Sequence, residues 1–402
     1  MVATRPCILP LCLLAAAASG RAGTDGREKM PLPAVKYQVK LETIRSGFDR
    51  KTCWVHARAG ALPGQPPALV VTMQKLLLSG SDVFYALNEM RSDDLGRTWS
   101  GPVEHGTLAR RREGDIEVGI CDFTPKWHAK TGKLLGIGHS VHYRDNRVMG
   151  YRHRQTAWSV YDPQARSWAE WRTLEMPDGR KFFNAGAGSV QRCDLPNGDI
   201  LLPIYYKSDD KAERCYSAIV LRCTFDGRTL SCVEHGTELK LGVPRGFCEP
   251  SLASFQGRYY LTLRNDQKGY VASGADGLHF DKPVEWRFDD GQPLGNYNTQ
   301  QHWVTHPRGL FLVYTRRGAN NDHVFRHRAP LFLAQVDPER LCVVRGTERI
   351  LVPERGARLG NFGVCEVSDA ETWVTVTEWM QPVGCEKHGS DNSVYVARIV
   401  WE

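Results

Sequence analysis

The chain has 402 residues, 42% hydrophobic and 24% charged, an ordinary globular composition that excludes a disordered, collagen-like or coiled-coil protein. Its 38 Gly, 22 Pro, 14 Phe, 14 Tyr and 11 Trp favour strands and tight turns over a helical bundle. The net charge of +7 is modest, and no basic run exceeds Arg110-Arg111-Arg112, which argues against nucleic acid as a partner.

From the N-terminus, Arg5, an apolar stretch from Ile8 to Ala18, and the small residues Ser19, Gly20 and Ala22 predict a signal peptide over residues 1–22. That stretch is too short to span a bilayer, and no later one is long enough, so a secreted or periplasmic chain without a membrane span is expected. Residues 23–33 read as a flexible mature N-terminus, and residues 34–402 as one catalytic domain without an internal linker. Ten cysteines remain after Cys7 and Cys12. They contain no CxxC pair, which removes support for a zinc ribbon, while disulfides and buried thiols weigh equally.

The strands come next, in repeating units. Each unit is an apolar strand, a short turn and a second apolar strand, with turns at Gln74-Lys75, Thr131-Gly132, Asn197-Gly198, Gln256-Gly257, Arg308-Gly309 and Asp369-Ala370. An outer strand follows each: Val83 to Met90, Gln155 to Val160, Ser217 to Cys223, Tyr270 to Ser273, Leu331 to Val336 and Val394 to Val400. The repeat of roughly 60 residues suits a four-stranded propeller blade. The last unit lacks a partner that Tyr37 to Ile44 can supply. The expectation is therefore an all-β, single β-propeller of six blades, closed by the N-terminal strand. Ser92-Asp93-Asp94-Leu95-Gly96-Arg97-Thr98-Trp99 is a polar turn in which Ser and Asp bond turn amides, Gly takes positive φ and Trp staples the turn to the sheet. Weaker copies run from Tyr161 to Trp168, Cys223 to Leu230 and Ser273 to Phe280.

In a propeller, starts of first strands and ends of second strands share one face. The starts contribute Arg58, Glu117, Asn184, Glu249, Gln300 and Asn361. The ends contribute Asp82, His139, His142, Tyr205, Tyr206, Arg264, Asp266, Arg316, Arg317 and Glu378. His56 reads either as functional or as a satisfied core histidine, and one member of Tyr205-Tyr206 as core. The polar run from Arg316 through Asn320 to His323, with Arg326-His327-Arg328, reads as a ligand-binding loop. Arginines, amides and aromatic faces in one mouth suit a sugar bearing a carboxylate, and acids, His or Tyr can then cleave its linkage by hydrolysis or β-elimination.

The Ser92–Trp99 turn and its copies, with Phe247-Cys248-Glu249-Pro250 and Leu261-Thr262-Leu263-Arg264, resemble the sialidase superfamily, propellers that carry such "Asp boxes". The resemblance implies a carboxylate clamp of Arg58, Arg264 and Arg316, Glu249 as the residue activating a nucleophile, and Asp82 as acid/base. The chain departs from that pattern: the first arginine sits in His56-Ala57-Arg58-Ala59, and the strand expected to bear a nucleophilic tyrosine reads Gly360-Asn361-Phe362-Gly363. Its texture is also similar to secreted α-L-rhamnosidases and rhamnose-glucuronate and ulvan lyases, whose propellers have seven blades. There His56 resembles the rhamnosidase histidine, and His139, Tyr205 or Tyr206, Arg222 and Tyr260 resemble lyase residues.

The resulting expectation is a monomeric exported glycoside hydrolase, without metal or cofactor, that removes α-L-rhamnose linked to glucuronate from an acidic polysaccharide. His56 would be its acid/base and Arg58 would orient the uronate. Alternatives are a lyase using His139 and a tyrosine, an exo-α-sialidase, and a non-catalytic glycan-binding propeller.

Overall fold

Apolar residues on both faces of the inner strands drive the architecture. In strand Ala68–Leu77, Leu69, Val71 and Met73 point one way and Val70 the other, and all four are fully buried. The computed structural model describes Met1 and residues 34–402 except 151, 152 and 211; the expected signal peptide and flexible N-terminus lie outside the described residues. Residues Ala34–Glu402 form one unit of six antiparallel sheets.

In chain order, blade 1 has strands Thr52–Leu62, Ala68–Leu77, Phe84–Ser92 and Ser100–Glu104; blade 2 is built on Ile116–His128, Lys133–Arg144, Thr156–Asp162 and Ser167–Trp168. Blade 3 has a first strand split into Asn184–Gly186 and Cys193–Asp194, then Ile200–Lys207, Ser217–Phe225 and Leu230–His235. Blade 4 has Cys248–Phe255, Arg258–Arg264, Gly269–Gly274 and Val284–Glu285; blade 5 has His302–His306, Gly309–Tyr314, Leu331–Asp337 and the short outer pieces Cys342–Val343 and Arg349–Val352. Blade 6 joins Gly363–Ser368, Glu371–Thr377 and Val394–Trp401 to the N-terminal Tyr37–Arg45, in register from Tyr37 opposite Trp401. The described residues thus give six blades and not seven, closed as the sequence implied.

Six apolar clusters fill the six interfaces, which shows that the ring closes. Leu69 and Met73 of blade 1 meet Trp373 and Val396 of blade 6. Leu62 and Val70 meet Phe123 and Leu134 of blade 2. Ile137 and Trp158 meet Leu202 and Ile219 of blade 3, and Leu201 and Val220 meet Leu261 and Leu263 of blade 4. Val271 and Trp286 meet Trp303 and Phe332 of blade 5, and Phe311 and Leu333 meet Val374 and Ile399 of blade 6. Each fully buried indole still satisfies its N–H; Trp168 donates to Glu89 at 2.9 Å and Trp303 to the Ser251 carbonyl at 2.9 Å.

One predicted hairpin is corrected. Gln74-Lys75 lies inside a strand, and the blade 1 turn is the segment 63–67, Pro-Gly-Gln-Pro-Pro, where proline cannot continue a ladder. At Ser92–Trp99 the Gly96 amide donates to Ser92 Oγ at 2.8 Å, and the Thr98 amide donates to Asp94 at 2.9 Å. Trp99 packs against Trp373 of blade 6. Asp162, Asp226 and Asp276 each accept two turn amides in the corresponding places, and so does Asp337 in blade 5, a fifth copy whose sequence lacks the aromatic staple and the glycine. All ten described cysteines are free thiols. No described helix is long and apolar enough to cross a membrane.

Candidate active site

The first strands do not run straight to the axis. In blades 1, 2 and 4 two residues oppose one: His56-Ala57 face Met73, Asp122-Phe123 face Gly138, and Glu249-Pro250 face Leu263. These are β-bulges, and the leading residue of each takes a left-handed backbone, with φ of 58° at His56, 52° at Asp122 and 45° at Glu249. Ser189 and Asn298 reach similar φ values of 56° and 55° on the approaches of blades 3 and 5. Non-glycine residues avoid this region unless the surroundings hold them there, and its repetition around the axis marks a built site. Gly138 makes one bulge possible, since a Cβ there would lie 2.4 Å from the Cys121 carbonyl oxygen. Gly188 leaves room for His139, whose Nδ1 would be 1.8 Å from an added Cβ.

The bulges turn His56, Asp122 and Glu249 into a cavity of about 620 Å³ at one mouth of the ring, which Asp82, His139, His142, Tyr205, Arg264, Asp266 and Asn361 also line. Asp122 is its hub. Ser189 Oγ donates to Asp122 Oδ1 at 2.5 Å and Arg58 Nη2 donates to it at 3.0 Å, while His56 Nε2 lies 3.3 Å from Oδ1 and His139 Nε2 3.8 Å from Oδ2. The Tyr205 hydroxyl is 3.3 Å from His139 Nδ1. The His56 ring packs against Phe84 and Trp379, with the Gln74 side chain beside it. Asp82, also at positive φ, sits where its carbonyl accepts the Tyr143 hydroxyl at 3.2 Å.

Electrostatics fix the protonation pattern. Burial would raise the Asp122 carboxyl, but attraction from His56, Arg58 and His139 and the Ser189 hydrogen bond carry it far below the ordinary carboxylate range. Burial depresses His139 to about 3 despite Asp122, with Arg154 reinforcing the effect, and burial likewise lowers His56. Burial drives the Tyr205 phenol well above its usual value, with Arg154 opposing. At neutral pH the group is therefore a carboxylate beside two neutral imidazoles and a protonated phenol. Tyr205, His139 and Asp122 have the arrangement of a nucleophile, a base and its orienting acid.

The cavity is otherwise cationic. Arg154, Arg245, Arg326, Arg328 and Arg358 line it with Arg264. Arg264 is committed to Glu249 and, at 3.2 Å, to Asp266. Among the described residues, Arg328 and Arg358 have no carboxylate partner. Arg328 donates to the Asn298 side chain at 3.0 Å and to Asn361 at 3.4 Å, and Arg358 lies over Trp379, 4.3 Å from the ring centroid. Burial, then repulsion from Arg264 and Arg358, lowers Arg328 well below an ordinary guanidinium; burial and Arg326 lower Arg358 to about 10. A bound anion relieves both. Cys121, Asp122 and His139 each place one ligand atom within 4.8 Å of the others, yet Arg58 already occupies Asp122 and the surrounding guanidiniums oppose a cation there.

Several expected site residues lie elsewhere. The His56 bulge shifts the phase of its strand, so Arg58 is fully buried beneath the cavity, and Gln300 beside it donates to the Phe362 carbonyl at 2.5 Å. Arg316 is held by Glu348 at 2.7 Å and Asn320 stands exposed in its loop, so only Arg326 and Arg328 of that polar segment reach the cavity. Glu117 pairs with Arg110 on the surface, and Asn184 is buried behind the wall, accepting the Arg154 amide. Arg222 pairs with Asp199 and Glu234 on an outer strand. Tyr206 points into the interface of blades 2 and 3, Tyr260 into that of blades 4 and 5. Arg317 packs over Tyr297, and Glu378 accepts amides from Asp391 and Ser393. The unexpected members, Asp122, Ser189, Arg154, Arg245 and Arg358, come from bulges and irregular loops. The one available signal was local: Asp122 follows Cys121 at the same place in its strand as His56 in blade 1.

No family model matches the sequence, and no curated protein matches it. Solved structures do. A Dyadobacter fermentans protein of unknown function aligns over 90% of this chain and 99% of its own with a TM-score of 0.60 at 13% identity. The Hadza microbial sialidase Hz136 aligns over 89% and 68% (TM-score 0.59, 13% identity), and Trypanosoma rangeli sialidase over 92% and 60% (TM-score 0.56, 13% identity). At such identity the likeness concerns architecture, and it agrees with the sheet order and the closed ring: the chain has a sialidase-like β-propeller fold.

Proposed function

We propose that this chain is an exported glycoside hydrolase that cleaves the linkage of a carboxylate-bearing sugar in an acidic glycan. The observation that carries the reading is the pairing, in one cavity, of guanidiniums lacking carboxylate partners (Arg328 and Arg358) with the Asp122–His139–Tyr205 group. Arg328 and Arg358 hold the carboxylate. His139 takes the proton of the Tyr205 hydroxyl as the phenol attacks the anomeric carbon, and Asp122 stabilises the imidazolium so formed. A neutral phenol suits this role because an anionic carboxylate nucleophile would be repelled by the substrate's own charge. Asp82 protonates the leaving oxygen as the glycosidic bond breaks; a water that gives a proton back to Asp82 then attacks the anomeric carbon, and the departing Tyr205 oxygen recovers its proton from His139. The fold shared with two sialidases supports a glycosidase of this general kind, and the apolar segment from Ile8 to Ala18 supports export.

Two substrates fit the arginine wall: a sialoside, and the α-L-rhamnose–glucuronate linkage, whose uronate would occupy it. The 3.3 Å contact between His139 and Tyr205 also serves a second reading, in which the pair removes the C5 proton of a uronate and the linkage breaks by elimination. Incubation with an α-sialoside, a rhamnose-capped glucuronide and their carboxyl-reduced counterparts, read for free sugar and for the absorbance of an unsaturated uronate, tests all three. Release from an acid sugar that vanishes on carboxyl reduction is the expected result. Equal turnover of the reduced sugars, or none of either, overturns the proposal.

A further inference from the structure

The charge of the cavity is not balanced by one carboxylate. Among the described residues, six lining arginines stand against four lining carboxylates, Asp82, Asp122, Glu249 and Asp266, and Arg58 beneath adds another positive charge to Asp122. A monoanionic sugar leaves the pocket with excess positive charge, which a buried site tolerates poorly.

The excess has a second location. Arg245 enters from the segment before blade 4, beside the Cys248 side chain and within reach of the fields of Asp266 and Glu249. Among the described residues it has no carboxylate within ion-pair distance, and its buried Nε has no acceptor. Its placement is enforced. Arg245 and Gly246 are consecutive left-handed residues, with φ of 76° and 64°, and the fully buried Asn265 amide clamps them by donating to the Pro244 carbonyl at 3.0 Å and the Gly246 carbonyl at 2.8 Å. The Tyr216 amide donates to the Arg245 carbonyl at 3.0 Å. Non-glycine backbone in this conformation is costly, so a loop that holds it and points a cation into a cavity is organised around that cation. Arg154 stands on the same side, with Nη1 donating to the Tyr216 hydroxyl at 2.6 Å.

We infer that Arg245, with Arg154 and the Tyr216 hydroxyl, forms a second anion subsite, and that the natural substrate carries a second oxyanion besides its carboxylate, a sulfate or phosphate ester on the same or the adjoining sugar. This rests on the proposed function for the first subsite and adds the class of substrate. The full mature chain is titrated calorimetrically with a methyl glucuronide, its monosulfate and its monophosphate, so that the two esters distinguish the sources of the second charge. One ester is expected to bind about 10- to 100-fold more tightly than the parent glucuronide. In Arg245→Gln that preference falls to within about threefold while the parent glucuronide binds as before, which also shows that the variant is folded; Arg245→Lys keeps part of the preference. Equal affinity of the three ligands, or a preference that survives Arg245→Gln, overturns this inference alone. Absence of binding by all three, unchanged in Arg328→Gln, overturns the carboxylate subsite and this one with it.

Discussion

Asp122→Asn tests whether that carboxylate is the hub of the site. The substitution keeps the shape and removes the charge that Arg58 meets at 3.0 Å, and Arg58 is fully buried, with its other contacts to Ser189, Gln300 and the Phe362 carbonyl all neutral. Stranding a buried guanidinium costs about 3–5 kcal/mol. The pH dependence gives a second handle. The Asp122 carboxyl lies far below its unfolded value, so its contribution is fully present above that value and is lost as pH falls towards the folded one. The gap between wild type and Asp122→Asn, level from pH 5 to 8, should narrow by about 1.4 kcal/mol per pH unit once pH drops below the unfolded aspartate value of about 3.9. Urea unfolding followed by tryptophan fluorescence and circular dichroism measures both, provided the two probes coincide. The double variant Arg58→Met/Asp122→Asn should recover at least about 1 kcal/mol, because no orphaned charge remains. A loss below about 1 kcal/mol, or a gap unchanged between pH 7 and 3, would refute the account of Asp122.

Tyr205→Phe should lower turnover of an acid sugar by about 100- to 10,000-fold while leaving its binding in place, as single-turnover assays and calorimetry can separate; unchanged turnover removes Tyr205 from the chemistry. Arg328→Gln should raise KM for the carboxylate sugar about 10- to 100-fold, with little change for a carboxyl-reduced analogue, and an equal effect on both would mean that Arg328 does not read the carboxylate. Gly138→Ala should cost about 1–3 kcal/mol in urea unfolding, since the new methyl would lie 2.4 Å from the Cys121 carbonyl oxygen; a neutral result would mean that the bulge bearing Asp122 is looser than described.

The repeats and the ring closure were legible because they depend on apolar alternation and turn chemistry, both written locally. Most second-strand ends were legible for the same reason: Asp82, His139, His142, Tyr205, Arg264 and Asp266 reach the cavity, whereas Tyr206, Arg316, Arg317 and Glu378 do not. Of the first-strand starts, only Glu249 and Asn361 reach it. A bulge inserts one residue into a period-two pattern, so counting from the strand start selects Arg58 and Glu117 where the folded chain presents His56 and Asp122. Arg328 was legible as part of a polar loop, but Arg245 and Arg358 come from segments whose shape is set by tertiary contacts no periodicity reveals, such as the buried Asn265 amide beside Arg245. Arg58 matters to the site, but not as a clamp on substrate. It braces the Asp122 carboxylate, which the family resemblance did not supply.

The pairing of Tyr37–Arg45 with Val394–Trp401 constrains the order in which the protein can mature. During synthesis Tyr37–Arg45 emerges with its ladder partner still unmade, and it waits until the chain has been made through Trp401. Until then blade 6 lacks its outer edge and blade 1 has no finished neighbour, so neither can bury its seam. Strand Val394–Trp401 acts as a latch that holds Tyr37–Arg45 to the disc.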